Sequence, residues 1–429
     1  MVHVKIFPKF SKKIGEILIL LSLYASSQAH AVELRTILKN ALQQDPLIIE
    51  AQANEQAAIS KVKESQALHY PVLAVTANQI LDQSHDNRAD YASENFTPGL
   101  RGTLNLYSFG AISAQVERDK SKSAYFHEKT GETAEELGYS IGSEYIKALR
   151  AQESLEVQNR SLERHNKFTR DIGIIVQYDQ GRRSELIQAK ARQMQVEHII
   201  SGLQRELGFA LSNLKKYAPH VDPAGLSDPF AQFSISNVVD RYSLADSSQH
   251  PSYQAQQAEL DSIRSEHKYR QTKRYPSINL EGNVTTEDRQ IYLSMAWDVF
   301  NQGNKYSVEQ GGQSIVAAQA RLGQIQRDIE ERARTAEIDM FQSKQKMEIT
   351  RQQIAASRDV VIANEKQFKI ARKTLVDVLN AYNELSAVEI AYVTAQNDFR
   401  MAALAYLRAQ GKISTWAVGS SYSTWSTQP

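Results

Sequence analysis

Hydrophobic and polar residues along this chain follow two different periods. Leu385, Val388, Tyr392, Ala395, Phe399, Ala402 and Tyr406 step by three and four, the seam of a helix packed on another helix. A second stripe through Ile390, Val393, Leu404 and Leu407 lies to one side, which predicts neighbours on both flanks. Proline breaks helix interiors, and none occurs between Pro98 and Pro219 or between Pro276 and Pro429. Both tracts therefore predict long helices; Gly110 to Gln177 alone would extend about 100 Å.

Elsewhere the period is two. Over residues 277–284, Ile278, Leu280, Gly282 and Val284 share one face while Ser277, Asn279, Glu281 and Asn283 share the other. Past the polar turn Thr286-Glu287-Asp288, the residues Ile291, Leu293, Met295, Trp297 and Val299 share a face. Val72 to Gln79 behaves likewise, as does the segment where Leu100, Gly102, Leu104 and Leu106 oppose Arg101, Thr103 and Asn105.

These patterns occur twice. Asp45-Pro46 and Tyr70-Pro71 return as His250-Pro251 and Tyr275-Pro276, 205 positions later. Leu104 to Gly110 echoes Trp297 to Gly303 at offset 193, and Glu185 to Ala189 echoes Asp377 to Ala381 at offset 192. The chain reads as two copies of a helix–strand–strand–helix unit, with a loop about 12 residues longer in the first copy between Gln79 and Thr97. The first repeat spans 32–217, with strands near 71–82 and 97–108. The second spans 246–415, with strands near 276–285 and 290–300. Between them, residues 218–245 carry Pro219, Pro223, Gly225 and Pro229 and read as a linker; residues 416–429 read as an irregular tail.

Composition narrows the class. A mean hydropathy of −0.46 and 10 prolines in 429 residues suit long amphipathic helices better than thick globular cores. Net charge is +1 with no basic block, which gives nucleic-acid binding no support. Residues 1–31 read as a secretory signal: Lys5, Lys9, Lys12 and Lys13 precede the apolar stretch Ile17 to Ala25, and Ala29-His30-Ala31 is a small-x-small cleavage site. An N-terminal membrane anchor is the alternative reading. With no cysteine, the chain has no disulfide, no thiolate metal site and no site for lipid acylation.

No later segment supplies the ~20 apolar residues of a transmembrane helix. If the mature chain enters a membrane it does so through β-strands, and strands of this length and alternation suit a barrel with a wet lumen. Its lumen would be faced by Ser277, Asn279, Glu281, Ser294 and Asp298, because only that phase keeps charge out of hydrocarbon. Four strands cannot close a barrel, so several chains must contribute. A soluble sheet with one solvated face is the alternative. The chain carries no P-loop, G-x-S-x-G, H-E-x-x-H or dinucleotide fingerprint, and no two of its 10 histidines lie three or four apart. No catalysis, cofactor or metal is predicted.

The duplicated unit, the Asp45-Pro46…Tyr70-Pro71 pattern, Tyr107-Ser108-Phe109-Gly110 and Thr374-Leu375-Val376-Asp377-Val378-Leu379-Asn380-Ala381 resemble the TolC family of outer-membrane channels over residues 33–415. The resemblance implies a mixed α and β membrane fold: a homotrimer whose twelve-stranded transmembrane β-barrel continues into a long periplasmic α-helical barrel. It implies outer-membrane lipid, a periplasmic adaptor protein and an inner-membrane transporter, of ABC type, as partners. It implies a periplasmic aperture at Asp377 and Asn380, the latter an amide where the family brings a carboxylate. It further implies a closing link among Glu185, Phe368 and Lys373, in which Phe368 lacks the hydroxyl of a tyrosine and an ion pair of Glu185 with Lys373 is expected. Val176 to Leu186 is similar to channels for type I secretion of large adhesins and agglutination proteins. Small-molecule or drug efflux is the alternative, and a periplasmic adaptor is the rival from a different class.

Overall fold

The computed structural model describes residues 33–79, 96–219, 221, 225–286 and 288–419. The signal expected at 1–31, the longer loop of the first copy and residues 420–429 lie outside them. The described residues begin with two helices, α1 (Leu34–Gln44) and α2 (Pro46–Ala67), followed by strands β1 (Val72–Gln79) and β2 (Phe96–Tyr107). A long helix α3 (Ala111–Tyr178) then turns back through a single 3-10 turn into α4 (Arg183–Lys215). After α5 (Ile235–Tyr242) the pattern repeats as α6 (Pro251–Thr272), β3 (Ser277–Thr285), β4 (Arg289–Ala296), α7 (Gln302–Lys369) and α8 (Leu375–Ala409), ending in α9 (Ile413–Val418). The copies match closely in length: α2 and α6 have 22 residues each, α3 and α7 68 each, and α4 and α8 33 and 35. At 1.5 Å per residue α3 and α7 are each about 100 Å long.

The recurring prolines sit where helices begin. Pro46 and Pro251 occupy the first turn, where an absent N–H costs nothing, and the residue before each caps the free amides. Asp45 accepts from the Leu47 amide at 2.9 Å, and His250 Nδ1 accepts from the Ser252 amide at 3.1 Å. In the Tyr-Ser-Phe-Gly motif, Phe109 and Gly110 take φ of 51° and 83°, left-handed values that turn β2 sharply into α3.

The four strands form one antiparallel sheet in chain order, and the β2–β3 pairing joins the two copies. Partners across a ladder share a face. Ile278 faces Met295, Leu280 faces Leu293, and Leu104 lies opposite Leu280, which assembles an apolar surface. Asn279 opposes Ser294 and Asn105, Glu281 opposes Tyr292 and Thr103, and Arg101 opposes Asn283 on the other surface. Asn105 Nδ2 donates to Asn279 Oδ1 at 2.8 Å across that polar face. The two-residue period therefore translates into a two-faced sheet.

One strand is shorter than its pattern suggests. β4 ends at Ala296, opposite Ser277, because Pro276 comes next on the partner strand and has no N–H to extend the ladder. Asp298 consequently lies beyond the sheet, accepting from Asn301 Nδ2 at 3.4 Å near the start of α7, and Trp297 Nε1 donates to the Arg274 carbonyl at 3.1 Å. Asp298 is not a strand-face residue.

Helix packing buries α8 on both predicted stripes, since α3 and α7 flank it. Small residues permit the close approach of α3: a Cβ at Gly142 would stand 2.7 Å from Leu404 Cδ2. The larger core lies midway along α3, where Leu34, Ile37 and Leu38 of α1 meet Ile141, Tyr145 and Ile146 of α3 and Leu404 and Leu407 of α8. Two segments expected to be loose are built into it. In the stretch between the copies, Phe230 is 1% exposed and stacks on Trp416 at 5.2 Å. Residues 416–418 of the expected irregular tail belong to a helix that begins at Ile413, and the buried Glu135 carboxylate accepts from the Ile413 amide at 2.7 Å and the Ser414 amide at 3.0 Å, which holds the start of α9.

Arg400 anchors the same region. Only 2% exposed, it donates from both terminal nitrogens to Glu153 at 2.7 and 2.8 Å, and its Nε lies 2.9 Å from Asp228 of the inter-copy stretch. Removing one partner of a buried pair leaves the others desolvated and unpaired. Arg400→Ala is therefore expected to destabilise the fold by about 3 kcal/mol, read as a lower thermal midpoint of the helical circular-dichroism signal in detergent. A midpoint unchanged from wild type would show that the three groups are solvated independently.

Candidate functional site

The two hairpin tips, at the α3–α4 and α7–α8 turns, carry the five residues expected at the aperture and its closing link. At the first, Asp179 accepts from the Gly181 amide at 3.0 Å and closes the turn, and α4 follows directly. At the second, Ala371 takes a φ of 54° and the Arg372 amide donates to the Gln367 carbonyl at 2.9 Å, which terminates α7. Thr374 and Asp377 then form a reciprocal capping box. The Thr374 amide and hydroxyl donate to Asp377 at 2.9 and 2.8 Å, and the Asp377 amide returns a bond to Thr374 Oγ1 at 3.3 Å.

Asp377 is thus a structural cap as well as a residue of the tip. The Thr374 hydrogen bonds, with the nearby Lys373 ammonium, hold its carboxyl below the usual aspartate range. Lys373 Nζ stands 4.0 Å from Asp377 Oδ1, whereas Glu185 pairs with Arg182 at 2.7 Å. The expected ion pair between Glu185 and Lys373 is not formed within the chain. Each has an oppositely charged neighbour three or four residues away on its own turn, and a local partner needs no second element to be positioned. Asn380 is exposed beside Gln188 and Arg192 in a shallow cleft between α4 and α8.

What joins the two turns is a cation and a ring. The Arg182 guanidinium lies over the Phe368 ring at 5.3 Å, and Phe368 meets Phe168 edge-on at 5.3 Å. Phe168 belongs to a second apolar cluster with Ile172, Val176, Val361, Leu375 and Tyr382. Without the hydroxyl of a tyrosine, Phe368 still serves as the contact, through its π-face. Arg182 carries no distinguishing pattern in the sequence beyond its place three residues before Glu185. Its role depends on the fold.

Behind this cluster runs a buried polar seam. Glu389 of α8, 3% exposed, meets Arg164 of α3 at 3.4 Å and Arg358 of α7 at 3.1 Å, linking three helices. The Tyr382 hydroxyl donates to Glu365 of α7, and Tyr382 meets the His165 ring edge-on at 5.4 Å. His165 is 1% exposed, and neither of its ring nitrogens has a hydrogen-bond partner among the described residues. Burial, followed by the cations Arg164 and Arg192, pushes its pKa down to about 4.

This arrangement makes the tip acid-sensitive. An unfolded histidine takes up a proton near pH 6.5, whereas the folded one resists until about pH 4, so stability present at neutral pH is lost as pH falls through that window. The full effect is roughly 3 kcal/mol, at about 1.4 kcal/mol per pH unit. Thermal melts from pH 7 to pH 4 are expected to show this loss, and His165→Phe is expected to reduce it. Parallel pH profiles for the two proteins would assign the acid sensitivity to other groups.

Comparison with known proteins agrees with the geometry. The sequence pattern of the family described as "Outer membrane efflux protein" matches residues 37–197 and 247–411, one span in each structural copy. "Outer membrane efflux protein BepC" of Brucella suis biovar 1 (strain 1330) is 28% identical over 162 residues, 34% of this chain and 34% of that protein. The aligned region thus spans about a third of that curated relative. The fold is shared with the Campylobacter jejuni CmeC outer membrane channel, with a TM-score of 0.76 at 13% identity over 88% of this chain and 85% of that one. It is shared equally with the open state of the Neisseria gonorrhoeae MtrE outer membrane channel, with a TM-score of 0.74 at 17% identity over 90% and 93%. The strands accordingly belong in the outer membrane and the long helices in the periplasm, and the chain is a member of the outer membrane efflux protein family.

Proposed function

We propose that this protein is the outer-membrane exit duct of a tripartite export system. The observation that carries the reading is the two-faced, four-stranded sheet continuous with helices of about 100 Å. Its apolar face suits lipid and its polar face suits water, yet four strands are too few to close around a lumen. Three copies would supply twelve strands, and their helices would continue the lumen through the periplasm. A periplasmic adaptor and an inner-membrane transporter would load the duct at the hairpin tips.

For the cargo, the stretch from Val176 to Leu186 favours a large secreted protein such as an adhesin, delivered by type I secretion through an ABC-type transporter. Small-molecule efflux is the second reading, favoured by the likeness to the Brucella efflux protein. Deleting the gene separates them: loss of a large protein from the culture medium supports secretion, and drug sensitivity with an unchanged secretome supports efflux. The duct itself is tested by fractionation, where heat-modifiable trimers belong in the outer membrane and a soluble periplasmic monomer would sink the reading.

Two substitutions probe the duct. Leu280→Arg places charge on the lipid face and is expected to cost roughly 2–4 kcal/mol if near the midplane, whereas Asn279→Arg on the lumen face should be tolerated. Yields of assembled trimer measure this, and equal yields would mean that the faces are reversed or that the sheet is not in lipid. At the tips, the Arg182–Phe368 contact contributes about 0.5–1 kcal/mol at an exposed site, a bias that three copies would multiply and a docking partner could overcome. Arg182→Ala is expected to raise the conductance of reconstituted channels without preventing trimer formation. Conductance equal to wild type would place the constriction elsewhere.

A further inference from the structure

Charge is distributed unevenly along the molecule. Residues 164–192, around the first tip, hold seven lysines and arginines against three acidic residues, and residues 358–380, around the second, hold five against three. The tip region thus carries a net +6 in a chain whose total is only +1, which leaves −5 for everything else. The Arg182–Phe368 contact places both turns at one end of the molecule, so these charges gather at that end, where Arg164 and Arg358 are already paired with the buried Glu389.

Four of the six acidic residues of this region are engaged, Asp171 and Asp359 being exposed with no ion pair among the described residues, whereas of the twelve basic ones only Arg164, Arg182, Arg358 and Lys373 are paired. Glu185 is paired with Arg182, Asp377 is held by Thr374 and Lys373, Asp179 caps its own turn, and Glu365 accepts from Tyr382. By contrast Lys167, Arg170, Arg183, Lys366, Lys369 and Arg372 are exposed and have no acidic side chain within ion-pair distance among the described residues. Asn380 adds to the asymmetry, being a neutral amide at the exposed face of α8 beside Arg192.

From this distribution we infer that the hairpin tips form an anion-collecting mouth, and that the cargo enters through an acidic segment of an unfolded polypeptide. The inference rests on the exit-duct reading above and names the chemistry of what passes. Its physical basis is the reach of the charges. At 0.1 M salt the Debye length is about 10 Å, comparable with the spacing of neighbouring helices, so uncompensated cations on either side of a tip raise the potential at the opening. Repetition around a three-fold axis would triple the charge, and a narrow low-dielectric opening focuses the field and enriches anions locally. A flexible acidic chain presents many carboxylates at once. It therefore gains from the mouth repeatedly as it threads, which a single small anion does not.

The test uses the full-length protein reconstituted as trimers in planar bilayers under a potassium chloride gradient. The reversal potential is expected to have the sign set by chloride, with the preference shrinking as salt is raised. Arg183→Glu combined with Arg372→Glu is expected to move the reversal potential toward the potassium side while heat-modifiable trimers still form. Polyglutamate added at the tip side is expected to interrupt the current, and polylysine is not. A protein that opens no channels overturns the exit-duct reading on which the inference depends. Channels that prefer potassium, or a reversal potential unmoved in the double variant, overturn the anionic mouth alone. Block by citrate equal to that by polyglutamate at matched carboxylate concentration overturns the polypeptide as cargo.

Discussion

A sheet with two open edges cannot stand alone in a bilayer, and that constraint organises the rest of the molecule. Inside hydrocarbon every backbone N–H and C=O needs a partner, so only helices and closed barrels span membranes. Among the described residues β1 pairs only with β2 and β4 only with β3, leaving the outer edge of each open to another strand. On the exit-duct reading, further copies of the chain would satisfy those edges, and self-association would be a condition of membrane residence. The pairing of β2 with β3 has a further consequence. It joins the two copies into one continuous four-stranded sheet.

Below the sheet, the same duplication must be held in register over a great length. Helices of about 100 Å cannot be fixed by contacts at their ends alone. The fold places its thickest core at mid-length, where α1, α9 and the stretch between the copies wrap around α3 and α8. Arg400 ties α8 to both α3 and that stretch with three charged contacts, and Glu135 holds the start of α9 through two backbone amides. Segments that resemble linkers in composition thus act as a collar. Gly411 belongs to the same junction: its φ of 58° ends α8, and a Cβ there would stand 2.7 Å from Pro251, where α6 begins.

The hairpin tips are built differently. Their apolar cluster is smaller, their linking contact is one cation over one ring, and their seam contains a buried histidine with unpartnered nitrogens. Weak exposed interactions and an unsatisfied buried polar group thus sit at this end, and regions that move are drawn from the low-stability end of a structure. On the proposed reading, a duct opened by a docking partner would have its weaker contacts there. The basic surface of the tips lies on the same end, so docking, opening and attraction of cargo would act on one group of residues.

How far the sequence alone determined this protein varies along the chain. The period of two in residues 277–284, the three-four seam of Leu385 to Tyr406 and the offsets of the Asp45-Pro46 and His250-Pro251 motifs settle strands, long helices and duplication, because periodicity and capping act over a few residues. That Asp377, Phe368 and Lys373 belong to the tips followed from the family resemblance instead, and the capping box that sets Asp377 at a helix start came from the structure. The pairing at the tips was not legible. Glu185 and Lys373 have complementary charges, but which charge meets which depends on side-chain geometry across separate turns, and the local partners Arg182 and Asp377 prevail. The burial of Phe230 and Trp416 was equally hidden, since a proline-containing stretch and a short tail acquire a core only when distant helices offer one. Local chemistry decided the elements; contacts among residues far apart in the chain, such as Arg400 with Glu153 and Asp228, decided how those elements close on one another.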